Sequence, residues 1–224
     1  MSAHSWPEWE HVLSAAAHLQ VVLPGATLVG GTAAAIFARH RISYDADHVL
    51  TDLRDRFDDV LAQLEAVAGW RTARVKRPVL ILGSLDGIET GVRQLVRDQP
   101  LETREVNIGG VCLVVPTEAE MLRIKAVLIL KRNATRDYLD FVALADRIGP
   151  DRVFTALADL DRLYPQPSGE SALQQLQVQL AHPIPYDLEP TNLTEYRRLD
   201  AKWHDWKQVS QTCAAIAADT FRRL

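Results

Sequence analysis

The sequence contains only two cysteines among its 224 residues. Cys112 and Cys213 are far apart, and neither belongs to a CxxC pair or to a Cys/His cluster. Small secreted domains depend on several cysteines, and a structural zinc site needs closely spaced Cys or His ligands. The sequence therefore predicts neither a disulfide framework nor a structural zinc site.

Long apolar runs are also lacking. No apolar segment approaches the roughly 20 residues of a membrane-spanning helix, and the first residues do not combine a basic region with an apolar one. We therefore predict a cytoplasmic protein without a membrane partner.

The sequence also lacks an excess of positive charge. The chain has 25 Lys and Arg against 29 Asp and Glu, which gives a net charge of −4. This balance does not favour a protein that holds nucleic acid through its overall charge, although a local basic patch is compatible with it.

The pattern of apolar residues changes near Pro116 and divides the chain into two predicted regions. Up to that point, strand-like segments alternate with helices such as the amphipathic segment Leu53–Ala68. From Thr117 onward the pattern is almost entirely helical. We predict an α+β fold with a mixed sheet flanked by helices in residues 1–115, followed by a helical lobe in residues 116–224.

The segment Gly30–Asp47 places polar residues at both ends of a short apolar stretch. Its sequence, GGTAAAIFARHRISYDAD, begins with two glycines and a threonine and ends with two aspartates one residue apart. We predict a helix capped by Thr32, followed by a strand that carries Asp45 and Asp47. Alternate residues of a strand face the same side, so the two carboxylates would lie together, as Mg²⁺ requires when it bridges protein and phosphate oxygens.

The glycine end of this segment predicts a phosphate site. Gly30 and Gly31 let the backbone approach a phosphate, whose charge is favoured at a helix N-terminus. Gly30, Gly31 and Thr32 would hold a triphosphate, and Asp45 and Asp47 would hold the bridging Mg²⁺. Alone, each motif is usually a turn or an acidic surface, and only their spacing by one helix indicates a site.

These residues resemble the AbiEii/AbiGii toxin family of the polymerase-β-type nucleotidyltransferase fold. The family pattern of a glycine pair followed by His-Arg-x-Ser-x-Asp-x-Asp is matched by Gly30, Gly31, Thr32, His40, Arg41, Ser43, Asp45 and Asp47. A later family segment is matched by Lys125, Arg132, Arg136, Asp137 and Asp140. The resemblance covers roughly Leu28–Leu144.

The resemblance implies an enzyme that transfers a nucleoside monophosphate from an NTP to an acceptor with Mg²⁺ as its cofactor. Asp45 and Asp47 would be catalytic metal ligands, and Gly30, Gly31 and Thr32 would bind the nucleotide. Its later segment implies that Lys125 and Arg132 neutralise phosphate charge, with Asp137 orienting Lys125 or acting as a general base.

A third metal carboxylate is expected by analogy with polymerase-β-type transferases. Glu89 is preferred to Asp86, because Asp86-Gly87 is typical of a simple turn. Arg41 is predicted to tie the metal carboxylates to the helix. Arg93 and Arg97 could contact an acceptor, but a solvated helix face is the simpler interpretation.

The resemblance also implies a biological setting. Members of the family act as toxins of bacterial toxin–antitoxin pairs, so an antitoxin would be the partner and a tRNA or a protein the acceptor. Two alternatives stay open, namely a non-catalytic nucleotide-binding or regulatory module and a small-molecule transferase of the antibiotic-modifying kind.

Overall fold

A computed structural model describes residues 7–189 and 192–223 of the chain. Its helices are α1 (Pro7–Val22), α2 (Gly30–Ala38), α3 (Phe57–Glu65), α4 (Glu118–Arg132), α5 (Thr135–Ile148), α6 (Pro150–Ala158), α7 (Leu160–Leu163), α8 (Ala172–Ala181) and α9 (Trp206–Arg223). Its strands are β1 (Thr27–Leu28), β2 (Asp45–Leu50), β3 (Trp70–Lys76), β4 (Leu80–Leu85), β5 (Ile88–Gln94), β6 (Thr103–Ile108) and β7 (Val111–Pro116). The predicted α+β class is confirmed.

The chain divides into two compact units. Unit 1 contains the described residues up to Ala33 together with Ser43–Thr117, and unit 2 contains Ala34–Ile42 together with the described residues from Glu118 onward. The start of α2 therefore belongs to unit 1 and the rest of α2 to unit 2. Residues 1–6, 190, 191 and 224 of the two regions predicted from the sequence lie outside the described residues.

Unit 1 is built on a five-stranded mixed sheet in the order β1-β2-β5-β4-β3. The β2–β5 pair is parallel, and the other neighbouring pairs are antiparallel. A separate antiparallel hairpin joins β6 to β7. The parallel pair matters for function, because it fixes which residues of β5 stand beside the aspartates of β2.

One face of the sheet supplies the core of unit 1. Alternate residues of β2 are buried, and its Leu50 packs in a cluster with residues such as Phe57, Ile81 and Val92. His48 also lies on this face, and burial lowers its pKa to about 4. His48 is therefore neutral at physiological pH and packs as a core residue.

Two sequence interpretations are wrong in unit 1. The segment containing Arg93 was predicted to be helical, but Arg93 lies on strand β5, which completes the sheet between β2 and β4. Arg97 is buried, and its guanidinium donates to the carbonyl oxygens of Gln99 and Pro100 instead of facing solvent.

Unit 2 is helical apart from its loops. Helix α5 is its most buried element, with α4, α6 and α9 among the helices that contact it. The rings of Tyr138 and Trp206 meet edge to face at a centroid distance of 5.8 Å. Two carboxylates of α5, Asp137 and Asp140, are fully buried and require cationic partners.

Candidate functional site

The start of helix α2 is bound to strand β2 through the backbone. Gly30 has a φ of +76°, a conformation that favours glycine. The amide of Val29 donates to the carbonyl oxygen of Asp47 at 2.8 Å, and the hydroxyl of Thr32 donates to the carbonyl oxygen of Asp45 at 2.5 Å. The predicted capping role of Thr32 is wrong, because α2 begins two residues earlier and the hydroxyl is used to hold the strand.

Asp45 and Asp47 lie on the face of the sheet opposite the core. Both are half-buried, whereas the intervening Ala46 is fully buried. The hydroxyl of Ser43 donates to Oδ1 of Asp45, and Nη2 of Arg93 lies 3.8 Å from Oδ1 of Asp47. The two carboxylates therefore share one surface beside the N-terminus of α2.

Strand β5 adds a third carboxylate to the same face. Glu89 is the partner of Asp45 in the parallel register, and Gly91 is the partner of Asp47. The Glu89 side chain is exposed. Across residues 7–189 and 192–223, no group of three or more His, Cys, Asp or Glu side chains is arranged to hold a metal ion. The ligand role of Glu89 accordingly stays a prediction.

The oxygen donors on this face fit Mg²⁺. Magnesium is usually bound through one or two carboxylates together with water and substrate phosphates, and Asp45 and Asp47 supply that number. Room for the Asp47 carboxylate depends on Gly91, because a Cβ there would lie only 3.2 Å from its Oδ1, whereas a Cβ on Gly30 would make ordinary contact at 3.7 Å from its Oδ2. The chain thus leaves space around this carboxylate.

If Asp45 and Asp47 hold Mg²⁺ as the sequence predicts, alanine at Gly91 is expected to weaken that binding. The new Cβ would press on Oδ1 of Asp47 at 3.2 Å and on the end of Leu82 at 2.5 Å. Displacing a ligand through its neighbours typically lowers metal affinity about 10- to 100-fold. Calorimetric titration of Gly91→Ala with MgCl₂ measures the change. The double variant Gly91→Ala/Leu82→Ala removes the second clash, so full recovery of affinity in it would contradict a role for the Asp47 contact.

Lys125 of unit 2 is buried against carboxylates. Its Nζ lies 2.7 Å from Oδ2 of Asp140 and 3.6 Å from Oδ1 of Asp137, and its side chain is only 1% exposed. The sequence analysis gave Lys125 a phosphate-neutralising role and named Asp137 as the residue that could orient it. It did not identify Asp140 as its principal partner, because that contact joins two helices.

Asp140 also contacts His40 and Arg41, which lie just after the end of helix α2. Nε and Nη2 of Arg41 donate to its two oxygens at 2.7 and 3.1 Å, and Nε2 of His40 lies 2.7 Å from Oδ1. Burial alone would raise the pKa of Asp140, but the charges of Arg41 and Lys125 and the His40 hydrogen bond hold it well below its usual range. Burial lowers the pKa of His40, and the Asp140 hydrogen bond opposes that shift.

The prediction for Arg41 is corrected by these contacts. Its guanidinium forms a two-point contact with Asp140 of unit 2, whereas the sequence reading assigned it to the metal carboxylates. Nothing in one sequence pairs residues that are 99 positions apart.

Arg132 and Asp137 form a second buried contact in unit 2. Two guanidinium nitrogens of Arg132 donate to the two oxygens of Asp137, from Nη2 at 2.6 Å. Asp137 is fully buried, whereas 37% of the Arg132 side chain is exposed. The structure therefore gathers the predicted residues into two groups: Gly30, Gly31, Thr32, Asp45, Asp47 and Glu89 in unit 1, and Lys125, Arg132 and Asp137 in unit 2.

Solved structures show that the fold is nucleotidyltransferase-like. JHP933 from Helicobacter pylori matches with a TM-score of 0.56 and 13% identity, covering 98% of this chain and 94% of that protein. A candidate nucleotidyltransferase from H. pylori gives a TM-score of 0.57 at 13% identity, with 100% and 97% coverage. The antibiotic-resistance factor ANT(2'')-Ia gives 0.50 at 14% identity, with 69% and 90% coverage. The predicted nucleotidyltransferase-like sheet followed by a helical lobe is thus confirmed as a fold.

Sequence similarity is found to part of a mycobacterial transport protein. The heme uptake protein MmpL11 of Mycobacterium tuberculosis H37Rv is 36% identical over 124 residues, which are 54% of this chain and 12% of that protein. The mycolic acid-containing lipids exporter MmpL11 of Mycolicibacterium smegmatis is 35% identical over 124 residues, 54% of this chain and 13% of that protein. The chain thus spans about an eighth of the length of these relatives. No protein-family model matches it.

Within residues 7–189 and 192–223, no helix is both long and apolar enough to cross a bilayer.

Proposed function

We propose that the protein is a Mg²⁺-dependent nucleotidyltransferase that moves a nucleoside monophosphate from an NTP to an acceptor. The observation that carries this proposal is the position of Asp45 and Asp47 on one face of β2, hydrogen-bonded through their backbone to the glycine-led start of α2. Fold alone would not suffice, because one scaffold can host unrelated functions.

In unit 1, the start of α2 would bind the phosphates of the NTP, and Asp45 and Asp47 would bind the metal ion. Backbone amides in the first turn of α2 have no helical acceptor and would donate to the β- and γ-phosphates of the NTP. Mg²⁺ held by Asp45 and Asp47 would offset negative charge on the reacting phosphate. The oxygen of an acceptor hydroxyl bonds to the α-phosphorus and gives up its proton to water, while the bond from the α-phosphorus to the bridging oxygen breaks and pyrophosphate leaves.

Glutamine at position 89 is expected to reduce transfer without abolishing it. Glu89 neighbours Asp45 in register but is exposed, so its loss removes one negative charge from the face and leaves two ligands in place. We expect kcat to fall by about tenfold and the apparent affinity for Mg²⁺ to weaken. Initial rates across a MgCl₂ series measure both. A loss as complete as that of Asp45→Asn would instead make Glu89 a full ligand, and an unchanged rate would exclude it from the site.

We also propose roles in nucleotide transfer for Lys125, Arg132 and Asp137 of unit 2. Lys125 and Asp137 are buried and paired with charges of unit 2, so any effect they have on transfer would act through the fold of that unit. Arg132 retains solvent exposure and is the member of this group that a phosphate could reach.

We propose further that the protein belongs to the AbiEii/AbiGii toxins and acts as the toxin of a toxin–antitoxin pair in the cytoplasm. The support is the set of matched motif residues in unit 1 and unit 2. The transport roles in the MmpL11 names belong to proteins of which this chain matches about an eighth, and they are not transferred here. Growth arrest on expression, relieved by a neighbouring open reading frame, tests the toxin role.

A small-molecule acceptor is the second candidate, favoured by the structural likeness to ANT(2'')-Ia. That protein has been solved with adenylyl-2''-tobramycin. A small acceptor would need no extended surface beside the two aspartates, which distinguishes it from a polymeric one.

The proposal is tested by label transfer from each of the four α-³²P-NTPs with Mg²⁺. Total RNA, total protein and an aminoglycoside panel serve as acceptors in parallel. We expect label in one acceptor class only, abolished by EDTA. Binding of NTP without transfer to any acceptor would refute the enzyme and leave a nucleotide-binding module.

A further inference from the structure

Strand β3 is an exposed and strongly basic edge of the sheet in unit 1. It is the last strand in the order β1-β2-β5-β4-β3, and every residue of it after Trp70 is exposed. Four of the seven residues from 71 to 77 are Arg or Lys, in a chain whose net charge is −4. Positive charge is therefore concentrated on this edge, although the chain as a whole carries a net negative charge.

A β-bulge places three of these cations on one face. Arg71 and Arg74 are three residues apart and would face opposite sides of a regular strand. The register shifts between Thr72 and Arg74, so Arg71 pairs with Ser84 and Arg74 pairs with Leu82. The extra residue thus turns Arg74 to the side of Arg71, as bulges commonly re-aim a side chain.

The paired registers place this side on the same face as the aspartates. One row across the sheet is Asp45–Glu89–Ser84–Arg71, the next is Asp47–Gly91–Leu82–Arg74, and the third is Val49–Arg93–Leu80–Lys76. Each row crosses three strand spacings, so the cations of β3 stand about 14 Å from the β2 carboxylates. Arg93 lies between them.

The three cations are not used within the part of the chain that the structure describes. No hydrogen bond or ion pair of residues 7–189 and 192–223 engages the side chains of Arg71, Arg74 or Lys76. Arg77, by contrast, pairs with Asp58, and its guanidinium lies over the ring of Phe57. A row of unpaired exposed cations attracts a polyanion more strongly than a surface of internal ion pairs does.

We propose that the face formed by Arg71, Arg74, Lys76 and Arg93 binds the phosphodiester backbone of a single-stranded nucleic-acid acceptor. This inference rests on the proposed nucleotidyltransferase function and names the class of its acceptor. The strand end would lie at Asp45 and Asp47, and the backbone would run across β5 and β4 toward β3. At the 3.4 Å rise of a stacked strand, 14 Å corresponds to about four nucleotides from that end, and a more extended strand would cover it with fewer.

The test compares two triple variants of equal charge. Arg71→Gln/Arg74→Gln/Lys76→Gln removes the basic face, and Arg54→Gln/Arg104→Gln/Lys207→Gln removes the same charge from other exposed positions. Fluorescence anisotropy with labelled 12-nucleotide RNA and DNA of one sequence gives affinity at several salt concentrations. Label transfer to the same oligonucleotides, and to a dinucleotide too short to reach β3, gives kcat/KM.

We expect the first triple variant to bind the 12-mer about 10- to 100-fold more weakly, with a salt slope smaller by about 2. Its kcat/KM for transfer to the dinucleotide should equal that of the wild type. The control triple variant should match the wild type in both affinity for the 12-mer and kcat/KM. RNA-only or DNA-only binding identifies the strand type. The single variant Arg74→Gln, with a proportionately smaller loss, serves if the triple variant does not fold.

Three results would overturn the inference, and they differ from one another. Wild-type affinity in the first triple variant would show that the cations only protect the sheet edge, with the transferase function intact. Transfer to protein without oligonucleotide binding would assign the acceptor to another class. Transfer to no acceptor would remove the proposed function itself, and this inference with it.

Discussion

Asparagine in place of Asp47 or Asp45 is expected to reduce nucleotide transfer about 1,000-fold or more. Each change removes a charged oxygen ligand while keeping the shape of the side chain. A metal ion contributes several kcal/mol to stabilising a transferring phosphoryl group, and about 4 kcal/mol corresponds to that loss of rate. Initial rates of label transfer from the preferred NTP at saturating Mg²⁺ measure it.

The matched control for this experiment is Asp52→Asn. Asp52 lies on the surface just after β2 and pairs with Arg56 at 2.7 Å, so its removal also deletes one carboxylate near the sheet. We expect near wild-type transfer from this variant. Thermal unfolding of all three proteins shows whether the fold is kept. Transfer at the wild-type rate in both Asp45→Asn and Asp47→Asn would refute the assignment of the metal site.

Replacing Asp140 with asparagine is expected to lower the free energy of unfolding by about 3–5 kcal/mol. Asparagine preserves the size of the side chain but leaves Lys125 and Arg41 buried without the carboxylate that both contact. Chemical denaturation monitored by circular dichroism measures the loss.

Helix α5 itself supplies the control for position 140. Asp146 pairs with Lys202 at 2.6 Å, but both side chains are about half exposed, so Asp146→Asn should cost less than about 1 kcal/mol. The double variant Asp140→Asn/Lys125→Met removes one of the two cations that contact Asp140 and should recover part of the loss. Equal effects at positions 140 and 146 would contradict a special role for the buried cluster.

The stability difference between the wild type and Asp140→Asn is expected to depend on pH in one direction. The pKa of Asp140 is lowered in the folded protein, so its contribution is fully present above its ordinary value of 3.8 and is lost as the pH falls toward the depressed pKa. The stability difference between wild type and Asp140→Asn should therefore be constant near neutrality and shrink below about pH 4. A difference that grows on acidification would contradict this sign.

Local patterns in the sequence were sufficient for part of the site. A period of two places Asp45 and Asp47 on one face of any strand, and a glycine pair before an alanine-rich stretch predicts a helix start. Both features depend on residues close in sequence. The position of Glu89 was only a preference, because it depends on which strand pairs with β2 and in which register.

Features that depend on distant pairing could not be predicted. Arg71 and Arg74 have the spacing of residues on opposite strand faces, and only the bulge against β4 brings them to one face. Lys125 pairs with Asp140 of α5, and Asp140 in turn accepts from Arg41, which lies 99 positions before it. A single sequence contains no signal for such pairings.

The division of α2 between the two units has a consequence for synthesis of the protein. A ribosome adding 5–20 residues per second takes roughly 5–20 s to pass from the end of the α2 segment to Asp140. During that interval Asp140, the carboxylate partner of Arg41 and His40, has not yet been added, whereas the last strand of unit 1 ends earlier, at Pro116. The sheet that carries Asp45 and Asp47 can therefore assemble on the nascent chain before the buried charges of unit 2 are paired.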